Sequence, residues 1–127
     1  MTVRNVDLTA TWDEGEDMTW AIGLCVNVTG ENEVSIAAAA VLPIAGIVYV
    51  PSRAVGGVVT VQHGGTAMAI AGAAITAGAL LTSDANGKVI ATTTATNEVV
   101  GIARESAAAI NEQIMILIQP RRHGTAA

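Results

Sequence analysis

One repeat, at a fixed offset of 55 positions, constrains this chain more than any other feature of its sequence. The matched residues need no gap: Gly23 with Gly78, Val34 with Val89, Gly46-Ile47 with Gly101-Ile102, and Val55, Val59 and Val61 with Ile110, Ile114 and Ile116. A period this long, present in only two copies, is unlike a solenoid repeat and predicts a duplicated small β unit. The repeat halves run over about 23–63 and 78–118. Such a unit is typical of a scaffold or a binding surface rather than of an enzyme.

From residue 21 onward the sequence has the pattern of an all-β fold. Short runs rich in Val and Ile are separated by turn residues at close and regular spacing, which is typical of a sandwich or a barrel. Strands are predicted at 21–28, 33–40, 44–50, 57–62, 68–71, 79–82, 88–92, 99–104 and 113–119. We therefore predict a small β-sandwich or barrel-like domain over 21–119, built from a duplicated β unit. Four consecutive alanines favour a helix at 34–41 on propensity, but the matching segment 89–96 is rich in Thr, so a strand is preferred.

The turns between these strands give the strongest local signals. Ser83-Asp84-Ala85-Asn86-Gly87 contains an Asn-Gly pair, whose positive φ angles suit a tight hairpin. The matching position in the first half, Thr29-Gly30-Glu31-Asn32, is a second turn. His63-Gly64-Gly65 predicts a hairpin turn rather than a phosphate-binding loop, because no helix-forming stretch with Lys and Ser or Thr follows it.

The two ends of the chain differ from its strand-rich middle. Residues 1–20 have no strong periodicity and contain both Trp residues and five of the eleven acidic residues. They are predicted to form an irregular N-terminal arm that becomes ordered only where it docks. Residues 120–127 are predicted to be a polar C-terminal tail, in which Arg121 and Arg122 interrupt the acidic character of the chain.

Composition and charge limit the kinds of partner. The 127 residues are 51% hydrophobic, yet they include no Phe and one Tyr, so the predicted core is thin and aliphatic and favours stabilisation by self-association. The net charge of −5 argues against nucleic-acid binding, which needs a basic face. Charged residues make up 13% of the chain, against about 25% in a typical soluble domain. Partners are therefore expected to cover part of the surface.

No group of residues in the sequence predicts catalysis, a metal site or a cofactor. Cys25 is the only cysteine, which excludes an intramolecular disulfide, and its apolar neighbours predict a buried side chain. His63 and His123 have no carboxylate or second His close to them in sequence, so the spacing of a metal site is absent. The acidic residues within 13–17 lack the ligand pattern of a calcium loop and are interpreted as a solvated patch. The chain is expected not to be an enzyme.

Two charge-free stretches, 35–52 and 54–83, are long enough to raise the question of a membrane span. Proline and glycine interrupt the first stretch, and glycine pairs and several threonines interrupt the second. The acidic N-terminal residues lack the basic-then-apolar layout of a signal peptide. A soluble protein without a membrane partner is expected.

Five stretches of the chain follow one another in a recognisable order. They are Val58-Val59-Thr60-Val61-Gln62, Ala71-Gly72-Ala73-Ala74-Ile75-Thr76-Ala77-Gly78, Ser83-Asp84-Ala85-Asn86-Gly87-Lys88-Val89, Val99-Val100-Gly101-Ile102-Ala103 and Glu112-Gln113-Ile114-Met115-Ile116-Leu117-Ile118. In series they resemble the capsid cement (decoration) proteins of tailed bacteriophages, in which a GAAITAG turn, a TSDANGKV hairpin and a VVGIA strand recur in this order. The resemblance covers about residues 44–119.

This resemblance implies a β-sandwich or barrel-like subunit without enzymatic activity. It implies a homotrimer that binds the major capsid protein on the outer surface of the virion, at local threefold positions, and stabilises the shell against the pressure of packaged DNA. A head-fibre or receptor-binding β module of the virion is the alternative. A small β-barrel enzyme subunit or ligand-binding domain is a third possibility, which requires a pocket with convergent polar groups.

If the chain is a cement protein, two pairs of residues are candidates for partner binding. Trp12 and Trp20 are expected to make the N-terminal arm a docking element, because Trp is enriched in interface hot spots. The alternative is that both Trp side chains pack on the sheet of their own subunit. Arg121 and Arg122 are expected either to meet an acidic surface of the shell or to belong to a disordered tail.

Overall fold

The computed structural model describes residues 9–38, 44–93 and 97–122, and within these residues every regular element is a strand. The strands are β1 Thr9–Glu14, β2 Cys25–Gly30, β3 Glu33–Ile36, β4 Ile44–Val50, β5 Val58–Gln62, β6 Gly65–Ile70, β7 Leu80–Ser83, β8 Val89–Ala91, β9 Glu98–Ala103 and β10 Gln113–Arg122. The all-β prediction is confirmed. The predicted strand 33–40 ends earlier, at Ile36, and residues 39–40 lie outside the described residues.

The first five strands form a closed barrel in the order β1-β3-β2-β4-β5, with β5 pairing back onto β1. The pairing of β1 with β3 is parallel, with Glu14 opposite Val34, and every other described pairing in this barrel is antiparallel. Closure leaves no exposed sheet edge for unwanted pairing with other chains.

The second five strands form a sheet in the order β6-β10-β9-β7-β8. Followed around the closed barrel from β1 to its neighbour β5, the first five strands have the order β1-β5-β4-β2-β3, and adding five to each number gives the order of the second sheet. This sheet is open between β6 and β8 except for one parallel bridge, Ala71 to Val89. That bridge matches Glu14 and Val34 of the barrel, because Val89 lies 55 positions after Val34. The repeat in the sequence is therefore also a repeat of the strand topology.

The two halves share individual backbone hydrogen bonds as well as strand order. The N–H of Gly23 donates to the carbonyl of Val48 at 3.0 Å, and the matching N–H of Gly78 donates to Ala103 at 2.8 Å. Three further N–H to carbonyl bonds recur at the same offset. In the first half the donor and acceptor residues are Val48 and Leu24, Leu24 and Ala21, and Ala37 and Cys25. In the second half they are Ala103 and Ala79, Ala79 and Thr76, and Thr92 and Leu80. Gly23 and Gly78, which were matched in the sequence, thus have the same backbone role in the two halves.

Strand β1 corrects the prediction of an irregular N-terminal arm over 1–20. Its residues pair with β5 from Thr9 opposite Gln62 to Asp13 opposite Val58, so they complete the barrel instead of leading into it. Residues 1–8 lie outside the described residues. The prediction of a tail over 120–127 is corrected in the same way, because β10 extends to Arg122 and only residues 123–127 lie outside the described part.

One predicted hairpin is wrong and another is confirmed. The turn His63-Gly64-Gly65 joins β5 of the barrel to β6 of the second sheet, so its flanking strands do not pair with each other. The turn after Ser83 does close a hairpin, with Ser83 opposite Val89. The Asp84 carboxylate caps this turn, since its Oδ1 accepts bonds from the N–H groups of Asn86 at 2.8 Å and Lys88 at 3.0 Å.

Two clusters of buried apolar side chains form the core. The first fills the barrel and consists of Met18, Ala21, Leu24, Val26, Val34, Val48, Val59 and Val61. The second lies in the other sheet but also includes Cys25, Ala37, Ile44 and Ile47 of the first half. The outward face of β2 and β4 therefore packs into the core of the second sheet, which joins the two halves through buried aliphatic contact.

Candidate interaction surfaces

The described residues hold no group of three or more His, Cys, Asp or Glu side chains that would bind a metal ion. Cys25 is fully buried, and its burial raises the pKa of the thiol to about 12, so the thiol is neither a nucleophile nor a metal ligand at neutral pH. His63 is exposed at the connection between the two sheets. His123 lies outside the described residues.

The barrel and the second sheet differ at one seam. In the barrel, the N–H of Asp13 donates to the carbonyl of Asn32 at 2.7 Å and thereby ties β1 to the turn before β3. The matching atoms of the second sheet are the N–H of Ile70 and the carbonyl of Gly87, which do not bond to each other. The seam of the second sheet is consequently open where the seam of the barrel is closed.

A segment of the barrel occupies this open seam. The N–H of Ile70 donates to the carbonyl of Gly23 at 3.1 Å, and the N–H of Cys25 donates to the carbonyl of Gly87 at 2.7 Å. An added Cβ on Gly23 would lie 3.0 Å from Cγ1 of Ile70, and one on Gly87 would lie 3.2 Å from Cβ of Leu24. Residues 23–25 thus fit between β6 and the β7–β8 turn with no room for further atoms.

An apolar groove of about 230 Å³ lies next to this junction. Its lining combines Ile22 and Tyr49 of the barrel with Met68 and Met115 of the second sheet. Ile22 and Tyr49 are 45% and 58% exposed, so this part of the junction faces solvent. The lining contains no charged side chain, and its hydrogen-bonding side chains are those of Tyr49, Gln62 and Thr66.

The structure places the two Trp residues in different environments. Trp12 lies in β1 opposite Val59, is half-buried and packs against the barrel core. Trp20 is 61% exposed in the connection between β1 and β2. It lines a shallow groove with Glu16 and with the tip of the β7–β8 turn, where Asn86 lies. The two side chains therefore do not form one docking element.

The connection that carries Trp20 is stabilised by a local turn. Oδ1 of Asp17 accepts hydrogen bonds from the backbone N–H of Thr19 at 3.1 Å and from its hydroxyl at 2.8 Å. The backbone bond, followed by the hydroxyl bond, lowers the pKa of the Asp17 carboxyl. This turn directly precedes Trp20 and restricts the orientation of its backbone.

Arg121 and Arg122 belong to the end of the longest strand. Arg121 lies opposite Val99 and Arg122 opposite Glu98, after a register shift that follows Ile118. Their backbone is therefore part of the second sheet and not of a tail. They lie in the other half of the molecule from Trp12.

Two exposed apolar loop tips were missed as candidates, although the repeat contains both. Val55, in the loop before β5, is 75% exposed, and the matching Ile110, in the loop before β10, is 56% exposed. Each is followed by a residue with positive φ, Gly56 at 84° and Asn111 at 73°. The signal in the sequence was the Val55–Ile110 match itself, at the offset of 55.

Charge is distributed unequally between the two halves. Among described residues, the barrel half up to Gln62 carries six acidic residues, Asp13, Glu14, Glu16, Asp17, Glu31 and Glu33, and one basic residue, Arg53. The other half carries four of each sign, Asp84, Glu98, Glu105 and Glu112 with Lys88, Arg104, Arg121 and Arg122. The barrel is therefore the acidic end of the molecule.

Comparison with known proteins identifies a family and solved structures of similar fold. The model of the phage cement protein family matches residues 9–118. The N-terminal base of the head fibre protein gp8.5 of bacteriophage phi29 superposes with a TM-score of 0.64 at 22% sequence identity, over 87% of this chain and 92% of that one. Comparison with the curated proteins gives no match. No helix among the described residues is long and apolar enough to cross a membrane.

Proposed function

Because the chain belongs to the phage cement protein family, we propose that it binds the outer surface of the capsid as a homotrimer and stabilises the shell against the pressure of packaged DNA. Membership makes the chain a structural phage protein that associates with the capsid and is a component of the virion. The observation that carries the proposal is the extent of the family match, from the first residue of β1 to Ile118 in β10. Both halves of the repeat are therefore included.

The physical mechanism is mechanical. Packaged DNA pushes outward, and capsomers separate most easily at their shared edges. A trimer that contacts several capsomers at once resists this separation, because linked contacts raise the overall avidity by about 10²–10⁴ when they engage together. Each contact is then allowed to be weak, and a surface of a few exposed apolar side chains is sufficient.

The exposed apolar residues of the chain suit such contacts. Val55 and Ile110 extend from matching loops, and Trp20 stands out beside the β7–β8 turn. We assign Trp20 and the two loop tips to the capsid-facing surface. Trp12 is assigned to the barrel core instead, since it packs against buried side chains. Arg121 and Arg122 are proposed to bind an acidic part of the shell.

The net charge supports a protein partner rather than DNA. At −5, the chain is repelled by phosphate, and the six acidic residues of the barrel half concentrate that repulsion. We infer that the major capsid protein and further copies of this chain are its partners, and that catalysis is not part of its role.

The test measures mass and capsid binding with the same protein. Light scattering gives the mass of the purified chain, and co-sedimentation with expanded DNA-free capsids gives the binding. Calorimetry then compares the rupture temperature of the capsids with and without the protein. A trimer that co-sediments and raises the rupture temperature is expected. A protein that leaves both sedimentation and rupture temperature unchanged contradicts the cement role.

A head-fibre base is the second candidate. The observation that favours it is the similarity to the base of the phi29 head fibre, which at 22% identity concerns the fold. A fibre base attaches to the capsid but is not required to tie capsomers together. Binding to capsids without any change in their rupture temperature, combined with retention of a fibre-like partner, would favour this role over cement.

A further inference from the structure

We propose that an exposed row of apolar residues on the second sheet, Leu80, Ile102 and Leu117, is covered by the barrel of a second copy of this chain in a head-to-tail contact. The inference rests on the self-association included in the proposed function and names the surfaces that carry it. We call these three residues the outer row. In the first half of the repeat, the same chain already covers two residues of the matching row, Cys25 and Ile47.

The outer row crosses three neighbouring strands in register. Leu80 of β7 lies opposite Ile102 of β9, and Ile102 lies opposite Leu117 of β10. All three side chains point away from the core and are partly exposed. A contiguous apolar row of this kind on the outside of a sheet is typical of an interface.

Two of the three residues in the matching row of the first half are already buried. This row consists of Cys25, Ile47 and Gln62, which are paired in the same way across β2, β4 and β5. Cys25 and Ile47 are 0% and 1% exposed, because the second sheet of the same chain covers them. The same outward face is therefore covered in the first half and uncovered in the second.

Two glycines show the same difference. A Cβ added to Gly23 would meet Met68 at 3.2 Å and Ile70 at 3.0 Å, both on the outer face of β6. A Cβ added to Gly78, the matching residue, would meet nothing within 4 Å. The place that β6 fills beside Gly23 is thus empty beside Gly78.

The repeat also identifies what fills that place. Strand β6 matches β1 at an offset of 57, so Met68 and Ile70 correspond to Thr11 and Asp13. Both Thr11 and Asp13 are exposed on the outside of the barrel. We assign β1 of a second copy to the position beside Gly78 and the outer row.

Charge complementarity supports this assignment. Arg104 lies two residues after Ile102 and is exposed, and its guanidinium donates to the hydroxyl of Thr66 at 3.3 Å, at the β6 end of the outer row. The opposing β1 carries Asp13, within the half of the chain that has six acidic residues and one basic residue. The cationic side chain of Arg104 on one copy would therefore meet the acidic barrel of the next.

The contact between copies differs from the contact within the chain in one respect. Within the chain, the N–H of Ile70 donates to the carbonyl of Gly23. The matching N–H of Asp13 already donates to the carbonyl of Asn32, so it cannot form the equivalent bond to a second copy. Side chains must carry the contact between copies, which makes it reversible and sensitive to salt. A head-to-tail contact with the right rotation closes into a ring, as a trimer requires.

The test is sedimentation equilibrium of the full chain and three single variants. Ile102→Lys puts a charge in the outer row and is expected to raise the dissociation constant of the assembly about a hundredfold. Val28→Lys is the matched control, since Val28 is 54% exposed in β2, outside both the outer row and the capsid-facing residues, and it is expected to leave the assembly unchanged. Arg104→Glu is expected to weaken assembly, and adding Asp13→Arg to it is expected to restore assembly.

The outcomes separate this inference from the proposed function. If the wild type assembles, and both Ile102→Lys and Arg104→Glu assemble equally well, the surfaces named here are wrong and the cement role stands. If the wild type is monomeric at every concentration, self-association itself is wrong, and capsid binding is decided separately by co-sedimentation. If circular dichroism shows that Ile102→Lys does not fold, Arg104→Glu and its combination with Asp13→Arg still test the contact. Both residues are exposed, so these substitutions are expected to leave the fold intact.

Discussion

The N–H of Ile70 donates a 3.1 Å hydrogen bond to the carbonyl of Gly23, and this bond joins the two halves of the repeat. The corresponding N–H in the barrel, that of Asp13, is bonded within its own half. One duplicated unit thus closes on itself, and the other is completed by its neighbour. This asymmetry makes the two halves a single structural unit, and it leaves one outer face of the second sheet uncovered.

The first prediction compares the two matched glycines. Gly23→Ala is expected to cost about 1–3 kcal/mol more of unfolding free energy than Gly78→Ala, because overpacking adds to the backbone strain. Both residues have positive φ, 83° and 91°, so both variants share the strain, but the new Cβ crowds Ile70 only at position 23. Urea unfolding at equal protein concentration measures the difference. Equal losses for the two variants would mean that the junction is looser than the structure shows.

The second prediction concerns Gly101, which lies inside β9. An added Cβ would collide with the carbonyl of Leu117 on the neighbouring strand, and backbone atoms cannot move aside without separating β9 from β10. Gly101→Ala is expected to cost at least about 3 kcal/mol and to lower the soluble yield.

Gly56→Ala is the control for that variant, since a Cβ on Gly56 would meet nothing within 4 Å, although Gly56, unlike Gly101, has a positive φ of 84°. It is expected to cost only the strain of an L-residue there, about 1–2 kcal/mol. Thermal unfolding followed by circular dichroism gives both values. A Gly101→Ala protein as stable as the control would contradict the close approach of the two strands.

The third prediction concerns the thiol of Cys25. Its burial raises the pKa to about 12, so in the folded protein it is expected to resist a thiol reagent at pH 8 and to react once urea unfolds the chain. The free energy of unfolding is therefore expected to be unaffected by this thiol below the pKa of the unfolded thiol, near 9. Above that pH the unfolded state ionises while the folded thiol stays protonated, so the free energy of unfolding declines until the folded thiol also ionises near pH 12. Reagent absorbance and urea unfolding between pH 7 and pH 10 test both statements. Rapid labelling without unfolding would show that Cys25 is accessible.

The repeat was the part of the fold that the sequence predicted best, and its limit has a physical cause. The offset of 55 aligns hairpins and Gly-Ile strands because each half needs the same turns and the same close backbone approaches. The offset then changes to 57 for β1 and β6, because the loop after β1 is two residues longer. A search that allowed this gap finds Thr9-Ala10 and Gly15 aligned with Thr66-Ala67 and Gly72. Strand β1 was therefore hidden by a change in loop length.

Other features could not be predicted because they depend on non-local pairing. The turn at His63-Gly64-Gly65 has the residues of a hairpin, yet β5 pairs with β4 and with the distant β1, and β6 pairs with the distant β10. The placement of residues 23–25 in the open seam likewise depends on Ile70 and Gly87. For the candidate site, Trp content indicated binding but did not distinguish Trp12, which faces the barrel core, from Trp20, which faces solvent.

The fourth prediction separates the two Trp residues by substitution, because deleting the first 20 residues would also remove β1. Trp12→Ala is expected to cost about 2–4 kcal/mol of stability, since it leaves a cavity beside Val59 in the barrel core. Trp20→Ala is expected to change stability by less than about 0.5 kcal/mol, because 61% of its side chain is exposed.

Binding is expected to show the reverse order. Trp20→Ala should reduce co-sedimentation with expanded capsids about tenfold or more in affinity, as loss of an interface hot spot does. Trp12→Ala, measured at a temperature where it is fully folded, should bind like the wild type, because its side chain is not on the assigned surface. Wild-type capsid binding by Trp20→Ala would remove this residue from the capsid-facing surface and leave the loop tips, Val55 and Ile110, as the residues to substitute next.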